Sequence, residues 1–295
     1  MRPPRPESAE FEVLMTTIEQ QLVADGIEIP SRPIFAMMEV SKQFKIQLRG
    51  GPRTAHSTAQ EIKEIAYADA ISEWYERNYN ARLNESPGPL RTALLVDGDL
   101  YSLRIPWQLG SVAYVSTREW LPSPCISRGP VKANVVQFLD DITPARAKRL
   151  SDRALRDIAE AFAIAYPAAS TLTSSSHKLI SIARGDAQAA VTNLMAMEQR
   201  YGESRWASLQ AAEKTIKAAI ELTGAKFEQT HNLQKLYDQL TAAGIKFDAR
   251  SLIYNLQCWP SIRYGEDPST REQALLAHRS SLELVNSIRE TGVPL

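Results

Sequence analysis

The sequence predicts an α+β protein: an N-terminal domain over residues 1–180, with a small antiparallel sheet and helices, then an all-α up-and-down helical bundle over 181–295. Three observations carry that expectation. Two β-rich runs, Arg91–Val96 and Leu100–Ile105, flank Asp97-Gly98-Asp99, a strong short-range hairpin signal. From residue 181 onward the apolar residues keep helical spacing, in four principal segments at about 186–200, 203–223, 231–243 and 268–290 and a shorter one near 248–258. Gly202, Gly224, Gly244 and Gly265 fall in the breaks between them. Finally, 295 residues, 44% of them hydrophobic, suffice for two modest cores.

The elements follow in order. Phe11, Leu14, Met15, Ile18 and Leu22 recur at helical spacing, and Gly26, Pro30 and Pro33 end that helix. Residues 34–48 suit a helix or a strand, and pattern alone does not separate them. Residues 49–53 read as a loop. A long helix runs from about Ser57 to Arg82, capped by Ser57 or Thr58 and ended by the NESPGP turn. After the hairpin, Ser111–Ser116 alternates like a third strand and Asn134–Leu139 suggests a fourth, with the loop LPSPCISRGP (121–130) between them. Thr143-Pro144 opens a helix in the favoured order of cap then proline. That helix reaches about Ala165, with a break at Ser151, and Tyr166-Pro167 ends it near the domain boundary.

Composition excludes several classes. With 34 basic and 34 acidic side chains the net charge is zero, which argues against nucleic-acid binding by bulk positive charge. Each half is neutral too: 13 basic face 13 acidic residues in 182–295, and 21 face 21 before it. Cys125 and Cys258 form no CxxC, which fits a reducing, cytoplasmic home. The opening MRPPRPESAEFE has no apolar signal-peptide core, and no run of 18 apolar residues could span a membrane. Four histidines (56, 177, 231, 278) with no HxxxH make neither a metal site nor a cofactor site expected, and GxSxG, GxxxxGK[ST] and GxGxxG are all absent.

The second bundle helix has an unusual feature. Trp206, Leu209, Ile216 and Ile220 form one stripe, and Glu213 falls inside it with Lys217 at i+4. A carboxylate on an apolar face is costly unless paired, so this helix meets polar neighbours or lines a partly wet site. The same stretch, ASLQAAEKTIKAAIELTG (207–224), with FEQTHNLQKLYDQL (227–240) and IRYGEDPSTREQALLAH (262–278), resembles a HEPN domain. The resemblance rests on the AxEKxxK helix (Glu213, Lys214, Lys217), the THNL element (Thr230–Leu233) and the pair Arg263-Tyr264, in the family's order over about 110 residues. It covers the C-terminal part alone.

The resemblance implies a helical bundle that binds RNA or nucleotides and often forms homodimers, in stress, toxin–antitoxin or antiviral defence settings. It makes Glu213, Lys217, His231, Arg263 and Tyr264 the candidate ligand-binding residues. Many members are metal-independent endoribonucleases with Arg, four to six residues, then His; others bind nucleotides or only assemble. Arg271-EQALLA-His278 meets that spacing, and i and i+7 share a helix face, so Arg271 and His278 are the candidate catalytic pair: His as general acid or base, Arg on the charged phosphorane. Glu272, where the family usually has Asn, Asp or His, departs from the pattern. His231 alternatively packs behind a Thr230 cap, and Arg263 alternatively pairs with Glu213. In the N-terminal domain, Arg146, Arg149, Arg153 and Arg156 lie within about 80° of one helical wheel. They suggest a nucleic-acid stripe or a solvated face. That domain would recognise a protein partner. If the bundle neither cleaves nor binds RNA, it would serve as an assembly subunit.

Overall fold

A computed structural model describes residues 3–6, 8–27, 29–48, 58–79, 89–107, 111–121 and 131–295. The loop at 49–53, the Ser57 cap, His56, the turn after residue 82 and the 122–130 loop with Cys125 lie outside the described residues. Two compact units divide the chain.

The first unit is built from α1 (Ala9–Ala24), α2 (Arg32–Phe44) and α3 (Ala59–Tyr79). Ser8 caps α1 by accepting from the Phe11 backbone N–H at 3.2 Å. The ambiguous stretch after residue 34 is helical, because Ala36, Val40 and Phe44 recur every four residues and all are buried. Phe11, Met15, Ile71 and Tyr75 fill the core of this unit.

The second unit begins with the hairpin β1 (Leu90–Val96) and β2 (Asp99–Ile105), antiparallel, in register from Leu90 opposite Ile105 to Val96 opposite Asp99. Asp97 and Gly98 turn the chain with φ of 49° and 92°, the double positive φ of a type I′ turn. β3 (Val112–Val115) and β4 (Val131–Asn134) make a separate two-stranded sheet. The strand expected at 134–139 is instead mostly a 3₁₀ turn, Val135–Phe138. Its reason is Asn134, whose buried side chain accepts from the Val136 N–H and donates to the Thr117 and Glu119 carbonyls.

Thr143 caps the short helix α4 (Pro144–Ala147), and Ser151 caps α5 (Asp152–Ser174). α5 runs through Pro167 rather than ending there. The cost of a proline inside a helix, roughly 3 kcal/mol, is offset because Phe162, Ala165, Ala168, Ala169 and Leu172 all stay buried along one face. Then come α6 (Lys178–Leu194), α7 (Tyr201–Leu222), α8 (Leu233–Ala242), α9 (Arg250–Leu256), a 3₁₀ turn at Pro260–Tyr264, and α10 (Arg271–Glu290). α6 starts eight residues earlier than expected, with His177 as its cap.

One core joins Leu94 and Ile105 of the hairpin, Ile158 and Phe162 of α5, Ile180 of α6 and Leu282 of α10. The expected division near residue 180 therefore crosses a continuous core, and the compact unit runs from the hairpin to the C-terminus. A second core links α7 to α8, α9 and α10 through Leu209, Ile216, Leu236, Ile253 and Leu284. Gly224, Gly244 and Gly265 take positive φ where helices end, as their spacing predicts. Gly202 does not sit in a break: it lies in the first turn of α7, where a β-carbon would stand 2.1 Å from the Ile262 carbonyl oxygen. Among the described residues no helix is long and apolar enough to cross a membrane.

Candidate functional site

The carboxylate in the α7 stripe organises a polar cluster. Glu213 is 1% exposed, with Leu209 and Ile216 buried beside it. Its Oε1 accepts from Lys217 Nζ at 2.7 Å and from Lys214 Nζ at 3.2 Å. Its Oε2 lies 2.7 Å from Nδ1 of His231 and 3.4 Å from Nε2 of Gln210. Burial raises the carboxyl's pKa, but hydrogen bonds from Lys217 and His231 and the charges of Lys214 and Lys217 outweigh it, holding Glu213 below its ordinary value. It is an anion. Arg263 is not its partner; its cations, Lys214 and Lys217, come from its own helix, and the His231 ring reaches it from just before the next one.

The local sequence explains the arrangement. Lys217 reaches Glu213 because i and i+4 share a helix face, and its ammonium also lies 5.2 Å from the Phe227 ring centre. Asn232, not Thr230, caps α8 by accepting from the Lys235 N–H, while Thr230 accepts from the Asn232 N–H. His231 is thus held just outside the helix, with its side chain 58% exposed. These groups line a cleft of about 380 Å³ whose walls are Leu179, Glu213, Lys214, Lys217, Phe227, Gln229, Thr230 and His231. Of the charged side chains in that wall, two are lysines and one is Glu213.

A second arrangement adjoins the first. The Trp206 ring lies 5.6 Å from the His231 ring, and the Arg263 guanidinium lies 5.5 Å from Trp206 and 5.9 Å from Tyr264. Behind the cluster, burial pushes the Asp186 carboxyl up to about 6, against the pull of Lys214 and with the repulsion of Glu213. Glu213, Lys217 and His231, expected together, do line one cleft. Arg263 and Tyr264 lie outside it and connect to it through Trp206. Sequence reasoning had Trp206 on the right stripe without a role, and passed over Gln210 and Lys214 as site residues although both sit within one turn of Glu213. No sequence signal marked Asp186.

The expected catalytic pair is not assembled. His278 is 0% exposed, with Nε2 3.1 Å from Thr92 Oγ1 of β1. Burial brings its pKa down to about 4, so the ring is neutral and sealed in the core. Arg271 lies at the first turn of α10 and pairs with Glu272 at 3.2 Å. The two residues share a face of α10, but Arg271 stands at its partly exposed first turn, whereas β1 covers the same face at His278 through Thr92.

The arginine stripe is also broken. Ser151 caps α5 and interrupts the helix, so Arg146 and Arg149 belong to a different segment from Arg153 and Arg156. Arg146 pairs with Asp97 at 3.4 Å and Asp99 at 3.7 Å, and Arg153 with Asp157 at 3.7 Å. Asp97 sits below its ordinary pKa, chiefly through the Ser151 hydroxyl. That role is structural: the paired aspartates pin the hairpin turn to the α4–α5 junction.

Comparison with known proteins finds a match in one region. Residues 176–291 match the family model of the HEPN domain, and the N-terminal region matches no family model. No curated protein and no solved structure matches the chain. The HEPN match supports a nucleotide- or RNA-related role for the C-terminal part.

Proposed function

We propose that the HEPN region binds RNA or a nucleotide at the Glu213–His231 cleft. The observation that carries this reading is the convergence of Lys214, Lys217 and His231 on one buried carboxylate at the mouth of a cleft. Glu213 fixes the three donors in place, and the lysine ammoniums and the imidazole aimed into the cleft can hydrogen-bond a phosphate. In an otherwise neutral protein this is a local attraction, so salt sensitivity should be shallow: a slope of about one or two phosphates.

Fluorescence polarisation with labelled single-stranded RNA, and calorimetry with mononucleotides, test the reading. Wild-type protein binds, and Lys214→Ala weakens binding several-fold while the fold is kept. Equal affinity in wild type and Lys214→Ala would overturn the cleft as the phosphate site. The reading includes a homodimer through the bundle, a protein partner for the N-terminal region, and a stress, toxin–antitoxin or defence setting, all supported by the family resemblance. Sedimentation equilibrium tests the dimer. Cleavage through Arg271 and His278 is not part of it, because His278 is closed to any substrate.

A further inference from the structure

Resting on that reading, we infer that Trp206, Arg263 and Tyr264 form a base-stacking subsite beside the cleft, so that the ligand is a phosphate-bearing nucleotide whose base is unpaired. Arg263 is exposed and lies over two aromatic rings, and among the described residues no carboxylate is paired with it. A guanidinium in that state keeps its in-plane donors for a base edge or phosphate while its flat face adds to the stack. Tyr264 is 72% exposed, a large ring presented to solvent with no core to fill. The Trp206 ring in turn touches His231, so the aromatic surface begins where the cation-lined cleft ends.

The platform is also held firmly. Gly202 lets the first turn of α7 approach the Ile262 carbonyl, a contact that any β-carbon would forbid. That approach sets the 3₁₀ turn bearing Arg263 and Tyr264 against the helix bearing Trp206. Stacking on an aromatic or guanidinium plane requires a base face free of its Watson–Crick partner and neighbours. A duplex would offer its phosphates to the cleft but no face to the platform. The shared chemistry, an unpaired base with a phosphate, could come from a mononucleotide or from a single strand of RNA.

The test uses full-length protein and four probes: a labelled single-stranded oligoadenylate, the same strand annealed to its complement, AMP, and ribose 5-phosphate. Single-stranded RNA should bind about tenfold more tightly than duplex, in line with the usual loss on removing a stacking partner. Tyr264→Ala should erase that difference without lowering duplex affinity, and Arg263→Ala, which also removes a phosphate donor, should narrow it while weakening both probes; Trp206→Ala is set aside because Trp206 packs on the core. Binding of AMP but not ribose 5-phosphate would make a mononucleotide sufficient; binding of the strand alone would assign RNA. Equal affinity for single strand and duplex, or no change in Tyr264→Ala and Arg263→Ala, overturns the subsite while leaving the cleft intact. No binding of any probe overturns both.

Discussion

His231 and His278 belong to the same bundle, and spacing made the second the better catalytic candidate. The structure reverses them. His278 is sealed, neutral and bonded to Thr92, while His231 is 58% exposed and aligned by a buried carboxylate. A ring nitrogen can serve a ligand only if solvent and ligand reach it. Reach depends on which helix face the packing covers, something a motif of fixed spacing does not encode.

The largest effect expected from breaking this contrast is at the shared anchor. Glu213→Gln leaves Lys217, 6% exposed, without its anion, and should cost about 3–5 kcal/mol of stability, read as a fall in the urea midpoint. A loss below about 1 kcal/mol would mean that Lys217 escapes to solvent and that the cluster is not a fixed construction.

His278 should make itself felt through pH rather than ligand. Its folded pKa of about 4 lies below the ordinary value of 6.5, so between those values the unfolded chain binds the extra proton. Its contribution is fully present above pH 6.5 and is lost as pH falls towards 4, about 3 kcal/mol in all. Urea unfolding of wild type and His278→Gln at pH 7.5 and 4.5 should show the wild type losing more. Parallel pH dependence would mean that the ring opens to water.

The smallest effect on stability sharpens the contrast most. His231→Ala removes one hydrogen bond from an exposed ring and should cost about 1 kcal/mol. The same variant should weaken nucleotide or RNA affinity several-fold in the polarisation assay, while His278→Gln leaves it unchanged. If His278→Gln loses affinity with its fold intact, the assignment of the two histidines is inverted.

Much of the fold was legible because local chemistry and tertiary packing agree there. Asp97-Gly98 turns the hairpin wherever it is placed, Thr143 and Ser151 cap helices by their own side chains, and Glu213 advertises itself as a charge on an apolar stripe. Other features went unread because a distant contact overrides the local signal. Pro167 should stop a helix, yet α5 continues because its far half is buried. The residues 134–139 look like a strand, but Asn134 ties their start to the carbonyls of residues 117 and 119.

By itself, then, the sequence determined the hairpin, most helices of the bundle, the match of the C-terminal region to the HEPN family model and the pairing of Glu213 with Lys217. These depend on contacts within a few residues or on a periodic pattern. Only the tertiary structure decided that the hairpin and the bundle share one core, that Trp206 lies between His231 and Arg263, and that His278 faces inward. Those are contacts across 25 to 186 positions of chain, brought together by apolar burial around them, which is strong but non-directional and so leaves no address in the local sequence.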